Sequence, residues 1–146
     1  MRYSLCAALA LSGVGSSALA EPFDQKLYDA KARTYSPEES MAMIELEPGY
    51  RVELAAAEPL IEEPVAIAWD GDGKLYVAEM NTYMQDIDGS RELEPRSRVV
   101  LLEDTDNDGR MDKRSVFIDK LLLPRMIQPL GDRLIVRETN TFDLYS

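Results

Sequence analysis

The sequence predicts an all-β fold: a partial β-propeller of about two four-stranded blades, preceded by a short N-terminal helix. Three observations predict it. From Tyr50 onward the apolar residues either alternate or fall in short aliphatic runs broken by turn residues, and nothing after Ile44 has the spacing of a long helix. A stretch beginning at Pro64 recurs at Pro124. At 45% hydrophobic and 29% charged, the 146-residue chain has the composition of a folded globular protein.

The elements follow in order. Ser36-Pro37-Glu38-Glu39 is a helix start, with a capping serine, proline at the first helical position and glutamate where a capping box needs it. A short helix to about Ile44 follows, stopped by Pro48-Gly49. Tyr50 to Ala56 alternates (Tyr50, Val52, Leu54, Ala56) and predicts a half-buried strand. Val65–Trp69 and Lys74–Ala78 form a hairpin through Asp70-Gly71-Asp72-Gly73, where the aspartates serve turn chemistry. Ser97–Leu102, Arg114–Ile118, Arg133–Arg137 and Thr141–Tyr145 are further strands.

The repeat is read directly. Pro64-Val65-Ala66-Ile67 matches Pro124-Arg125-Met126-Ile127, and Gly71-Asp72 matches Gly131-Asp132, at an offset of 60. One residue then drops out. Leu75, Val77, Glu79, Asn81, Thr82 and Tyr83 match Leu134, Val136, Glu138, Asn140, Thr141 and Phe142 at an offset of 59. A fixed period made of strand-turn-strand units is the signature of a propeller or similar array, although this period exceeds the usual blade of about 40–45 residues. The alternative is chance likeness between hairpins, which the shared Glu-x-Asn-Thr-aromatic tail opposes.

Asp104-Thr105-Asp106-Asn107-Asp108-Gly109-Arg110-Met111-Asp112 carries the sharpest chemical pattern, D-x-D-x-D-G-x-x-D. Oxygens at positions 1, 3 and 5, glycine at 6, a backbone carbonyl at 7 and an oxygen at 9 make a calcium loop. The candidate ligands are therefore Asp104, Asp106, Asp108, the Arg110 carbonyl and Asp112, with a structural role for the ion. Ser115 stands at position 12 in place of the bidentate glutamate, and strands rather than helices flank the loop, so this is not an EF-hand. The competing reading is a solvated acidic hairpin loop with no ion.

If the strands of each unit run in sequence, the Asp70–Gly73 turn and the acidic loop share one end of the sheet, while the Met80–Pro95 connection and the Lys120–Pro124 crossover share the other. Long loops on a rigid scaffold tend to carry function. Glu79, Asn81, Tyr83 and Gln85 are thus candidates for a central pocket, with Arg125, Glu138 and Asn140 in related positions. Against that, Glu79 and Glu138 read as hydrogen-bonding a neighbouring backbone in each unit, Tyr83 and Phe142 as packing residues, and Trp69 as core between sheets.

Charge and composition remove several function classes. Sixteen Lys and Arg face 27 Asp and Glu, a net charge of −11, which opposes binding to nucleic acid or anionic lipid. No histidine is present, so a His-ligated haem and a Ser-His-Asp triad are excluded within these residues. Residues 1–20 read as a secretory signal peptide: Arg2, an apolar run from Leu5 to Val14, and Ala18-Leu19-Ala20 before Glu21. The run is too short to span a bilayer. Cleavage removes Arg2 and the one cysteine, Cys6, taking the charge from −11 to −12 and leaving no disulfide chemistry in a periplasmic or secreted protein. The expected organisation is a signal peptide over 1–20, a linker with the short helix over 21–48, and an incomplete propeller over 49–146.

Ser36-Pro37-Glu38-Glu39, Pro48-Gly49-Tyr50-Arg51-Val52-Glu53-Leu54, Ala57-Glu58-Pro59-Leu60, Asp70–Met80 and Leu102–Phe117 together carry a family resemblance. The chain resembles, over about Ser36 to Tyr145, the N-terminal propeller domain of the membrane-bound dehydrogenases of planctomycete-type and related bacteria. That family is similar to soluble pyrroloquinoline-quinone (PQQ) glucose/sorbosone dehydrogenases. The resemblance implies a large secreted protein that often continues into helical repeats and a cytochrome c segment with C-x-x-C-H. It implies PQQ as a cofactor of the full-length protein only, and a histidine base on the substrate hydroxyl that this sequence lacks, so no catalytic residue is carried over. The expected function is that of an N-terminal fragment of a quinoprotein-dehydrogenase-like propeller, missing its C-terminal blades, whose intact form oxidises a sugar or polyol alcohol. The alternative is a non-catalytic, calcium-stabilised propeller that binds glycan or protein. No nucleic-acid partner and no membrane span are expected.

Overall fold

A computed structural model describes residues 34–146; the predicted signal peptide and most of the arm that follows it lie outside the described residues. The chain divides into two units, Met1–Ile44 and Glu45–Ser146. In the first, helix α1 spans Pro37–Ala42. Its capping box forms as the sequence requires: the Glu39 N–H donates to Ser36 Oγ at 3.1 Å, and the Ser36 N–H donates to Glu39 Oε2 at 2.9 Å.

The second unit holds two antiparallel sheets. The first contains β1 (Pro64–Trp69), β2 (Leu75–Glu79), β3 (Ser97–Glu103) and β4 (Lys113–Leu121), paired in sequence order. The second contains β5 (Met126–Leu130), β6 (Arg133–Arg137) and β7 (Phe142–Tyr145), again in order. The all-β expectation therefore holds as two sheets of four and three strands with one short helix, and the sheets do not close on themselves.

Core formation follows the pleat. On the inner face of the first sheet, Tyr76, Ala78, Val99, Ile118 and Leu121 pack with Ile127, Leu134 and Val136 of the second. Tyr76 meets Phe117 edge-on at 5.2 Å between ring centroids. Phe117 is an extra residue in β4, since Val99 pairs with Ile118 but Val100 pairs with Val116. That bulge lets Phe117 and Ile118 both serve the same cluster. On the outer face, Leu75, Val77, Val100 and Leu102 are covered by Met111 and by Ala56, Leu60 and Ile61 of the segment before β1. Covered on both sides, β2 is buried at every position.

Several expectations need correction. Tyr50–Ala56 is not a strand. Val52, Leu54 and Ala56 are half-buried as the alternation predicts, although Tyr50 is exposed, and the segment finds no ladder: among the described residues its backbone hydrogen bonds are a turn bond from the Tyr50 N–H to the Glu47 carbonyl, 3.2 Å, and one from the Met111 N–H to the Ala55 carbonyl, 2.8 Å. Met126–Leu130, for which the sequence predicts no element, is a strand; Pro129, which lacks a donor, is tolerated because β5 is an edge strand. Trp69 is 49% exposed rather than core, because it lies on the outer face of edge strand β1, beyond the reach of the covering segment. Tyr83 and Phe142, expected as packing residues, are likewise exposed; Phe142 instead lies under the Arg137 guanidinium at 5.4 Å.

Candidate functional site

The acidic loop joins β3 to β4. Its ends are fixed by the ladder, with Glu103 opposite Lys113, and by the Asp112 N–H donating to the Glu103 carbonyl at 3.0 Å. Inside it, Asp104 works as an internal template. Its Oδ1 accepts from the Asn107 N–H at 2.7 Å and the Asp108 N–H at 3.3 Å, and its Oδ2 from the Gly109 N–H at 2.9 Å. These bonds, Gly109's foremost, hold the Asp104 carboxyl below the usual carboxylate range despite some desolvation. Gly109 sits at φ +91°, a conformation that favours glycine at the sixth position.

The result is convergence. One oxygen each from Asp104, Asp106 and Asp108 lie within 4.8 Å of one another. Ligands around a single calcium at about 2.3–2.6 Å can be no farther apart than roughly twice that distance. The three carboxylates thus fit one hard cation. Asp112 is turned elsewhere, receiving the Thr105 N–H at 3.1 Å and the Thr105 hydroxyl at 2.7 Å. Arg110 follows the convergent group, its N–H donating to Asp108 Oδ1 at 2.7 Å. Met111, next in sequence, is buried against the outer-face core and bonds Ala55, so the loop is tied to the segment over that face.

The opposite end of the sheet carries Glu79. It is fully buried, yet its carboxylate is saturated: Oε1 accepts the Glu62 N–H at 2.9 Å, while Oε2 meets Arg98 Nε at 2.6 Å and an Arg114 terminal nitrogen at 3.1 Å. Glu62 pairs with Arg98 at 2.9 Å and accepts from Asn81 Nδ2 at 3.2 Å. Burial lowers the Arg98 guanidinium, but the hydrogen bond and charge of Glu79 outweigh it and hold it above its ordinary value. Glu138 repeats the device: it accepts the Leu122 N–H through Oε2 and the Tyr145 hydroxyl through Oε1 at 3.1 Å. The donors Glu62 and Leu122 stand 60 apart, the acceptors 59. The residue after each donor, Glu63 or Leu123, takes a positive φ (43° and 49°) just before Pro64 or Pro124. Both glutamates therefore bond a neighbouring backbone, the bland reading of the two. Sequence reasoning had no signal for Arg98 and Arg114 as partners, because strand pairing rather than spacing delivers them.

The remaining candidates do not converge with Glu79 on an open centre. Gln85 donates to Glu63 at 2.7 Å and to the Tyr83 carbonyl at 3.3 Å, Asn81 leans on Glu62, and Arg125 and Asn140 are exposed. The 80–96 connection does present Met84, Ile87 and Leu93 outward. As predicted, it lies at the end opposite the acidic loop, since β2 leaves the sheet at Glu79 and β3 enters it at Ser97.

The chain belongs to the DUF7133 family, a domain of unknown function, whose family model matches residues 36–146. No curated protein and no solved structure matches it. No helix among the described residues is long and apolar enough to cross a membrane.

Proposed function

We propose that these residues open a β-propeller of the quinoprotein-dehydrogenase type, exported to the periplasm or beyond, whose intact form oxidises a sugar or polyol alcohol. The observation that carries the propeller part is the repeated clasp: Glu79 on the Glu62 N–H and Glu138 on the Leu122 N–H, in two antiparallel sheets packed face to face. A unit that repeats its lead-in, its αL residue before proline and its backbone-clasping glutamate is built to be stacked again. The dehydrogenase part rests on the sequence resemblance.

Within this scheme Asp104, Asp106 and Asp108 would hold calcium, with the Arg110 carbonyl available at the seventh position. The ion supplies charge neutralisation, so the loop is a structural lock on the β3–β4 hairpin. Asp112 supports it from outside by fixing Thr105. PQQ, the remaining blades and a histidine base would come from outside residues 1–146. The test is reduction of an artificial electron acceptor by the intact protein, supplied with PQQ, calcium and a panel of sugars and polyols. Turnover on at least one alcohol is expected. No turnover on any, together with retention on immobilised glycan or protein, would favour the second reading, a non-catalytic binding propeller. The exposed Met84, Ile87 and Leu93 of the 80–96 connection speak for that alternative.

A further inference from the structure

We infer that residues 52–57 are the fourth strand of the last sheet of the stack, pairing with strands supplied by the units beyond Ser146 of the same polypeptide, and that this pairing closes the stack along the outer face of β1. The inference rests on the stacked-sheet part of the reading above and not on its redox part.

The clasp sets the alignment. The Glu62 N–H on Glu79 and the Leu122 N–H on Glu138 stand at an offset of 60, each followed by a positive φ and a proline. Immediately before Leu122 lies β4, the fourth strand of the first sheet. The same offset lays residues 53–61, immediately before Glu62, on Lys113–Leu121. Packing agrees with it. Leu121 lies in the cluster of Leu134 and Val136, and its counterpart Ile61 packs on the cluster of Leu75 and Val77, their counterparts. The lead-in thus stands toward the first sheet as β4 stands toward the second.

What differs is the company. Val52, Leu54 and Ala56 are half-buried like strand residues, yet among the described residues the segment has no ladder. Backbone groups left over in such a segment pair readily with a sheet edge. The offset lays its expected neighbour, β3 (Ser97–Glu103), on residues 37–43, and there the chain forms α1. The neighbouring strand therefore comes from another part of the polypeptide. Because that part and the lead-in are one molecule, closure has no association entropy to overcome.

The outer face shows the area those strands would cover. Ile127 is 6% exposed where the second sheet meets the first, whereas its counterpart Ile67 is 49% exposed, and Val65 and Trp69 beside it on β1 are as open. Where the lead-in reaches, at Leu75 and Val77, the face is buried as Leu134 and Val136 are. The open apolar row of β1 is continuous with the covered one and belongs to the same interface, repeated one unit earlier.

Hydrogen exchange on the intact protein, resolved by peptide, tests this. Amides of residues 52–57 should exchange as slowly as those of Ser115–Ile118 in β4, at every protein concentration. Leu54→Pro should speed exchange about tenfold or more in residues 52–57 and in one stretch beyond Ser146, its ladder partner, while β2 and β3 keep their protection. If Leu54→Pro fails to fold, Ile67→Lys, on the seam itself, should speed exchange in the same two stretches. Free exchange at residues 52–57 beside a protected β4, protection that grows with protein concentration and so marks a second copy, or a variant effect confined to residues 52–57 would overturn the proposal. Lack of protected strands beyond Ser146 would overturn it together with the stacked-sheet reading. Absence of redox turnover beside the expected exchange pattern would remove only the dehydrogenase part and support the closure.

Discussion

At Gly109 the chain turns through φ +91° with no neighbouring atom within 4 Å of where a side chain would begin. Gly109→Ala therefore tests conformation without a clash. It should lower stability by about 1–2 kcal/mol, read from denaturant midpoints. Ionisation acts at the same scale. Asp104 is lowered chiefly by the Gly109 N–H, Glu103 by the Lys113 ammonium and Asp86 by the Ser90 hydroxyl. For each, the unfolded chain holds its proton more tightly, so its stabilising contribution is complete above the ordinary carboxylate range near pH 4 and is lost as pH falls through the folded value. Urea midpoints measured with chelator should decline on acidification through that window. Tyr145 has the opposite sign: burial first, then Glu138, push its phenol from 10.0 to about 12. Its contribution is complete below pH 10.0 and is lost as pH rises toward about 12. Tyr145→Phe should flatten that alkaline decline.

At the scale of the element, the glutamate clasp ties the lead-in of each sheet to the end of its second strand. Glu79→Gln keeps the shape but takes the counter-charge from Arg114 and leaves Arg98 only its pair with Glu62, and should cost roughly 3 kcal/mol in equilibrium unfolding. Glu138→Gln disturbs only the Leu122 and Tyr145 contacts and should cost less. Much of this level was legible in the residues. The capping box at Ser36 and Glu39 is local chemistry, as is the Asx turn in which Asp70 Oδ1 receives the Asp72 and Lys74 N–H groups at 2.9 Å each. Alternation located β1–β4 and β6–β7 to within a few residues. It fails at Tyr50–Ala56, because a periodic pattern reports which side chains seek cover and cannot report whether a ladder partner exists. It missed β5 because Pro129 and Gln128 dilute the apolar signal of an edge strand.

For the whole molecule, two sheets share one core across their inner faces, and the acidic loop is tied through Met111 to the cover of the outer face. Leu134, fully buried between the sheets, reports on the first: Leu134→Ala should cost about 2–5 kcal/mol in a single cooperative transition. The convergence of Asp104, Asp106 and Asp108 was legible because ligand spacing is local, whereas the turn of Asp112 toward Thr105 depends on how the hairpin closes. If the loop holds calcium, the ion stabilises the folded chain in proportion to its saturation, by about 2.7 kcal/mol at a hundredfold excess over the dissociation constant. Calorimetric titration of the chelator-treated chain, paired with its thermal midpoint, measures this directly. The account predicts one calcium bound per chain with a higher midpoint, and loss of both in Asp106→Asn. No heat of binding, with equal midpoints in calcium and in chelator, would contradict it.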